Sequence, residues 1–142
     1  MKLMLFGIAL TSILFVSVAS PAFAGTLRSA WLVSQGTNWK KGSSMTYSAY
    51  VWAEYHVTTD HGSFILQCVI QDHVGASLTS TTLGVVIGRA STNQNDVNIQ
   101  IITSSMTATL NGGGTHHVSG RCSLLGPYGT ITFYTNTENI LV

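Results

Sequence analysis

The strongest constraint in this sequence is an uninterrupted apolar parity around one of its two cysteines. Side chains alternate between the two faces of a strand, so residues of one parity share a face. On the apolar parity of segment 63–74 lie Phe64, Leu66, Cys68 and Ile70. A similar alternation surrounds the other cysteine, Cys122, in segment 115–125. The pattern predicts two strands whose cysteines face the core and form one buried disulfide between two sheets.

The first residues have the pattern of an export signal. A basic residue, Lys2, precedes the apolar run 3–18, and small residues around Ala24 form a cleavage site. We therefore expect a secretory signal peptide at 1–24 and a single domain at 25–142, located in the periplasm or outside a bacterial cell. No later apolar run is long enough to cross a bilayer, so we expect no stable membrane insertion of the mature chain.

Charge and composition restrict the partners. After cleavage, five basic and five acidic residues remain, so the net charge is near zero and nucleic acid and anionic membranes are poor partners. The chain has few charged residues and many Ser, Thr, Asn and Gly residues in their place. This composition predicts outer faces rich in hydroxyl and amide groups. Such faces suit a glycan, a cell-wall polymer, another protein or further copies of the chain.

Short alternating segments between turn residues recur along the mature chain. No segment after the signal shows the 3.6-residue period of a helix. We predict an all-β domain of about eight or nine strands, either a small antiparallel β-sandwich of immunoglobulin-like or jelly-roll-like form or a small barrel. The strands are expected at 26–34, 45–57, 63–74, 83–89, 97–101, 106–110, 115–125, 130–135 and 138–142.

Two hairpins follow from this pattern. Segment 45–57 and segment 63–74 flank the turn 59–62. We expect them to pair with Val57 opposite Phe64, because a slip by one residue would set the apolar parity of one against the polar parity of the other. The glycines at 112–114 favour a second hairpin, between 106–110 and 115–125.

The two cysteines most simply form one disulfide. They enclose 53 residues, and closing such a loop contributes roughly 4 kcal/mol in the chain-entropy model. The spacing is similar to that of the bridge in immunoglobulin domains, yet no tryptophan lies between Cys68 and Cys122, and Gly120 occupies the position of the tyrosine of those domains. No family is therefore assigned.

Residues that could perform chemistry are not arranged in a known pattern. The chain has no Gly-x-Ser-x-Gly elbow, no His-Glu-x-x-His and no Cys-x-x-Cys. The five histidines are His56, His61, His73, His116 and His117. The expected hairpin places His73 opposite Ser48 and about 26 Å from His56, while the adjacent pair at 116–117 points to opposite faces. We therefore expect no enzyme activity, no metal site and no cofactor.

Aromatic residues on the polar parity of segment 45–57 point to binding. These residues are Tyr50 and Trp52, beside Glu54 and His56. An exposed ring packs on the C–H patches of a sugar while its neighbours form hydrogen bonds. Trp39, in a polar loop, is a further candidate. The alternative is that all three rings are packing residues, covered by a loop, another subunit or the core.

The leading hypothesis is a secreted, non-catalytic binding or adhesion module that contacts a glycan, a cell-wall polymer or a protein through these aromatics. One alternative is an extracellular structural subunit that forms homo-oligomers through its terminal strands, 27–33 and 138–142. Another is an extracytoplasmic inhibitor or immunity-type protein that presents the loops 35–44 and 111–116.

Overall fold

The computed structural model describes residues 25–35, 40–59, 61–74 and 80–142. These residues form ten β-strands. The strands are β1 (Gly25–Gln35), β2 (Lys40–Lys41), β3 (Ser44–Val57), β4 (Gly62–Val74), β5 (Thr81–Thr92), β6 (Val97–Ile102), β7 (Met106–Asn111), β8 (Thr115–Leu125), β9 (Thr130–Tyr134) and β10 (Glu138–Leu141). Within the described part of the chain, no helix has the length and apolar character needed to span a membrane. The predicted signal peptide and Trp39 lie outside the described residues.

The strands form two antiparallel sheets of five strands each, which confirms the predicted all-β antiparallel fold. In sheet A, the long strand β3 pairs with β1 along one edge and with β6 and β7 along the other, and the short β2 also joins it. In sheet B, β8 pairs with β4 along one edge and with β9 and β10 along the other, and β5 pairs with β4. Sheet A is thus built on the long strand β3, whereas β4 and β8 lie side by side in the interior of sheet B.

The core lies between the two sheets. Its members on β3 are Tyr47, Ala49, Val51, Ala53, Tyr55 and Val57, all of them buried. The apolar parity of β4 is buried as well. The rings of Tyr55 and Phe64 meet across the core with centroids 5.3 Å apart. The inward faces of the two sheets therefore pack on each other, as in a sandwich.

The predicted hairpin between segments 45–57 and 63–74 is wrong. Strands β3 and β4 are consecutive in the chain but lie in different sheets, and Val57 pairs with Gly25 and Val97 rather than with Phe64. The predicted second hairpin is wrong for the same reason, since β7 belongs to sheet A and β8 to sheet B. The expected positive φ angles do occur at all three glycines of 112–114. Two strands with matching apolar faces can pair edge to edge in one sheet. They can equally face each other across the core from two sheets, so the apolar pattern does not distinguish these arrangements.

The predicted disulfide between Cys68 and Cys122 is present, but its predicted position between sheets is wrong. The two cysteines are direct partners on β4 and β8, neighbours in sheet B, with their Cα atoms 4.1 Å apart. Both are buried. The bridge therefore fixes the register of two paired strands near the middle of one sheet, instead of joining the two sheets.

Two short strands, β6 and β7, follow one another along β3, and β9 and β10 do the same along β8. In each case a threonine lies at the break between the two short strands and bonds to the long strand. Between β6 and β7, the backbone N of Thr103 donates to the Val51 carbonyl (3.0 Å), and its Oγ1 accepts from the Val51 N–H (2.9 Å). Between β9 and β10, Thr135 makes the same two bonds with Gly120, at 2.9 and 2.8 Å. The two sheets thus share one device that lets a second short strand follow the first along the same partner.

The same two breaks join the sheets at their edges. The backbone N of Ser104, in the first break, donates to the carbonyl of Ile87 on β5 (3.0 Å). The backbone N of Leu32 on β1 donates to the side-chain Oδ1 of Asn136, in the second break (2.8 Å). Each sheet therefore has an edge strand that is hydrogen-bonded to the other sheet. These bonds fix the position of one sheet relative to the other.

Candidate binding face

The outer face of sheet A carries most of the residues that the sequence nominated for binding. From Thr46 to Val57, strand β3 alternates between half-buried and buried side chains. The half-buried, outward side chains include Tyr50, Trp52, Glu54 and His56. All four therefore lie on one surface, away from the core. The other nominated residue, Trp39, lies outside the described residues.

The centre of this face is a stacked pair of tryptophans. Trp31 on β1 is the direct partner of Trp52 on β3, and their rings stack with centroids 4.8 Å apart and planes inclined by 24°. Ile102 on β6 is the partner of Trp52 on the opposite side. Trp31 is 46% exposed and Ile102 is 53% exposed. With Val33 opposite Tyr50 in the next row, these five residues form a surface that we call the aromatic patch.

The sequence did not identify Trp31 as part of this face because β1 contains a bulge. In a strand of regular alternation, Leu27 and Trp31 lie on one side, because they are four residues apart. The pairing with β3 shifts between Leu27 and Ser29, so Leu27 is the partner of the buried Tyr55 whereas Trp31 lies opposite the outward Trp52. An extra residue in one strand reverses the parity of everything that follows. The imperfect alternation of segment 26–34 was the only sequence signal of this reversal.

Polar side chains surround the aromatic patch. Glu54 is flanked in the sheet by Ser29 on β1 and Gln100 on β6. His56 is held by two partners, with Nδ1 2.7 Å from Oδ1 of Asn98 and Nε2 2.9 Å from Oδ1 of Asp96. Because both ring nitrogens are hydrogen-bonded, the His56 side chain is held in place at the border of this face. The face therefore combines rings with amide, hydroxyl and carboxylate groups.

A second group of polar side chains lies inside the fold. Asp72 on β4 and His116 on β8 are 5% and 1% exposed, with Oδ2 of the carboxylate 2.6 Å from Nδ1 of the imidazole. A carboxylate beside an imidazole is an arrangement that enzymes use in proton transfer. Here both groups are enclosed by the core, so a substrate in solvent does not reach them. The pair is a structural feature of the interior.

The same interior region holds a buried phenol. Tyr47 donates to Oε1 of Glu138 (2.8 Å), and Oγ of Ser34 lies 3.1 Å from the phenol oxygen and 2.5 Å from the same carboxylate oxygen. Burial raises the pKa of Tyr47 well above its usual value; the Ser34 hydrogen bond lowers it, and Glu138 raises it through its hydrogen bond and its charge. Tyr47 is therefore a neutral hydrogen-bond donor that ties β3 to β10.

The outer face of sheet B contains a shallow groove of about 580 Å³. Its lining includes Gln67, Arg121, Ser123, Thr132 and Tyr134. Arg121 and Tyr134 are direct partners on β8 and β9, and Tyr134 is 71% exposed. Among the described residues that line this groove, no two aromatic rings stack. We therefore regard the aromatic patch as the better candidate site and use Tyr134 as a control residue.

Within residues 25–35, 40–59, 61–74 and 80–142, no three side chains of His, Cys, Asp or Glu converge in a way that could hold a metal ion. The fold and this face define a small disulfide-bonded all-β domain with an aromatic outer surface. Comparison with models of protein families, with curated proteins and with solved structures found no match.

Proposed function

We propose that the protein is a secreted, non-catalytic binding module that docks a neutral glycan or polysaccharide on the outer face of sheet A. The observation that supports this most is the stack of Trp31 on Trp52, in which Trp31 remains 46% exposed. A tryptophan ring is the largest apolar side chain, and leaving it in water forgoes the free energy of its burial. A sugar ring packed against it would recover part of that free energy.

The surroundings of the aromatic patch favour a glycan among the partners considered. Amide and hydroxyl groups of Ser29, Gln100 and Ser48 border the patch, and Glu54 supplies a carboxylate that accepts hydrogen bonds from sugar hydroxyls. The near-zero net charge of the mature chain imposes no selection for a charged ligand. The buried disulfide fits an oxidising compartment, where extracellular glycans occur.

The geometry of the stack assigns different roles to the two tryptophans. One face of Trp52 is covered by Trp31, and its other neighbour in the row is Ile102. Trp31 lies on β1, where the row ends, so its distal face is the one open to a ligand. We therefore assign ligand stacking to Trp31. Trp52 supports the Trp31 ring by packing against its other face.

The test is sedimentation of the purified protein with insoluble neutral polysaccharides, such as cellulose, chitin, xylan and peptidoglycan, followed by titration with soluble fragments of whichever polymer binds. We expect Trp31→Ala to weaken binding by about tenfold or more, as loss of one buried aromatic contact does. Tyr134→Ala, which removes an exposed ring from the opposite outer face, is the matched control. Failure to bind any of these polymers, or equal binding by Trp31→Ala, would refute the proposal.

A second candidate is self-assembly, which one observation favours. The outer face of sheet B also exposes apolar side chains, among them Val85 (51%), Ile87 (37%) and Leu125 (40%). Apolar surfaces on both broad faces would allow copies to stack in an open series. The terminal strands β1 and β10 pair within their own chain, so stacking of faces is a simpler route than the strand exchange considered from the sequence. The inhibitor hypothesis stays a prediction.

Light scattering across a concentration range distinguishes these candidates. A mass that grows with concentration in the wild type, and that Val85→Ser with Ile87→Ser returns to a monomer, would support assembly through sheet B. A concentration-independent monomer would exclude it and leave the binding module.

A further inference from the structure

The pairing of β4 with β8 brings together two histidines that the expected hairpin did not make neighbours. His73 and His117 are direct partners in this antiparallel register. Direct partners on one face have Cβ atoms about 4.5–5.5 Å apart. Both side chains are half-buried and lie on the outer face of sheet B, since their chain neighbours Asp72 and His116 are buried in the core. The two imidazoles therefore stand side by side at the protein surface.

The imidazole of His117 is oriented by a residue on a third strand. Nδ1 of His117 lies 2.6 Å from Oδ1 of Asn139, its partner on β10. An amide oxygen only accepts hydrogen bonds, so Nδ1 is the donor in this bond and Nε2 is the ring nitrogen left for a metal ion. Metal-binding histidines show the same arrangement, in which one ring nitrogen donates to a carbonyl oxygen while the other binds the ion.

We propose that His73 and His117 form a two-histidine site for a divalent transition-metal cation that prefers imidazole, such as zinc. Two nitrogens that bind one zinc ion at about 2.0–2.1 Å in tetrahedral geometry lie roughly 3.3 Å apart. Imidazoles on adjacent strands reach that separation by small rotations about their side-chain bonds. Water or a ligand from outside would complete the two remaining positions of the ion.

The other histidines do not offer such a site. Both nitrogens of His56 are engaged by Asn98 and Asp96. His116 is enclosed in the core against Asp72. His61 is exposed at the start of β4, away from the 73–117 row. Only one row of the described part of the chain therefore places two imidazoles next to each other on an accessible surface.

This proposal departs from the expectation of no metal site, and the reason is the corrected strand pairing. The expected hairpin placed His73 opposite Ser48. The structure pairs β4 with β8 instead, which sets His73 opposite His117. The expectation that only one member of the 116–117 pair could join a site on a given face remains valid, and that member is His117.

The test is isothermal titration of the purified protein with zinc chloride in a non-chelating buffer. We expect one site per chain, and we expect His73→Asn and His117→Asn each to weaken zinc binding by about tenfold or more. Asn139→Ala removes the orienting bond and should weaken binding by about tenfold, the lower end of the range for such partners. His61→Asn is the matched control and should bind zinc as the wild type does.

Thermal unfolding without zinc checks that each variant is folded before its affinity is compared. The absence of zinc binding by the wild type would overturn the proposal. So would wild-type affinity in the double variant His73→Asn with His117→Asn, or an equal loss in His61→Asn. None of these outcomes bears on glycan binding, because the aromatic patch lies on the other sheet.

Discussion

The carboxylate of Asp72 and the imidazole of His116 form a hydrogen-bonded pair inside an otherwise mostly apolar core. Oδ2 of Asp72 lies 2.6 Å from Nδ1 of His116, and both residues are almost completely buried. The second oxygen of Asp72 and Nε2 of His116 have no hydrogen-bond partner within the described residues. Burying polar groups is costly even when they are paired, and much more so when one partner is removed.

We therefore expect Asp72→Ala to lower the free energy of unfolding by about 3 kcal/mol, since it leaves the imidazole unpaired in the core. The double variant Asp72→Leu with His116→Phe should recover most of that loss, because it replaces both polar groups with apolar ones. Urea denaturation measures all three proteins. A double variant less stable than Asp72→Ala would contradict this account of the pair.

Tyr47 gives a prediction for alkaline pH. Burial holds the pKa of Tyr47 above its usual value, so the folded state binds the phenolic proton more tightly than the unfolded state does. The resulting stability is fully present below about pH 10, the ordinary pKa of tyrosine, and is lost as the pH rises above it. The free energy of unfolding should therefore fall more steeply above about pH 10 in the wild type than in Tyr47→Phe.

Denaturation at a series of alkaline pH values tests this. Tyr134→Phe is the matched control, because it removes a phenol hydroxyl at the exposed surface and leaves the hydrogen bonds among Tyr47, Ser34 and Glu138 intact. At neutral pH, Tyr47→Phe should cost about 1.5 kcal/mol through the lost hydrogen bond to a charged group. Equal slopes for the wild type and Tyr47→Phe would show that Tyr47 is not protected from ionisation.

Gly88 on β5 tests the contact between the two sheets. A Cβ at this position would lie 2.5 Å from the carbonyl oxygen of Ile102 and 2.9 Å from Cα of Thr103, both backbone atoms that cannot move aside easily. We expect Gly88→Ala to cost about 2–3 kcal/mol. Gly84 on the same strand is the matched control, because a Cβ there would meet Met106 at an ordinary distance of 3.4 Å.

Gly84→Ala should therefore change stability by less than about 1 kcal/mol, with the reduced freedom of the unfolded chain in its favour. Thermal unfolding compares the two variants. Similar melting temperatures would mean that β5 does not approach the β6–β7 break as closely as described.

Nine of the ten strands of the described residues were predictable from the sequence, whereas the short β2, expected as part of a loop, and the pairing of the strands were not. The alternation in segment 115–125 reports a local property, and the structure has β8 at those residues. Pairing is a non-local property, and parity is satisfied equally by neighbours in one sheet and by strands in opposite sheets. The Cys68–Cys122 bridge shows the same limit, because the residues were identified correctly but the sheet assignment was wrong.

The candidate site was predictable only in part. The outward parity of Tyr50 and Trp52 followed from β3 alone, because that strand runs without a bulge in its alternation. Trp31 required knowledge of the bulge in β1, and the partnership of His73 with His117 required the register of β4 on β8. Sites that lie across strands depend on tertiary pairing, which no local pattern specifies.

The most direct test of the central claim is the affinity of the wild type, Trp31→Ala and Tyr134→Ala for the neutral polysaccharide that the sedimentation screen identifies. The account predicts at least about tenfold weaker binding by Trp31→Ala and unchanged binding by Tyr134→Ala, with all three proteins folded at the temperature of the assay. Unchanged binding by Trp31→Ala, or a loss confined to Tyr134→Ala, would contradict it and would place the ligand elsewhere than on the aromatic patch.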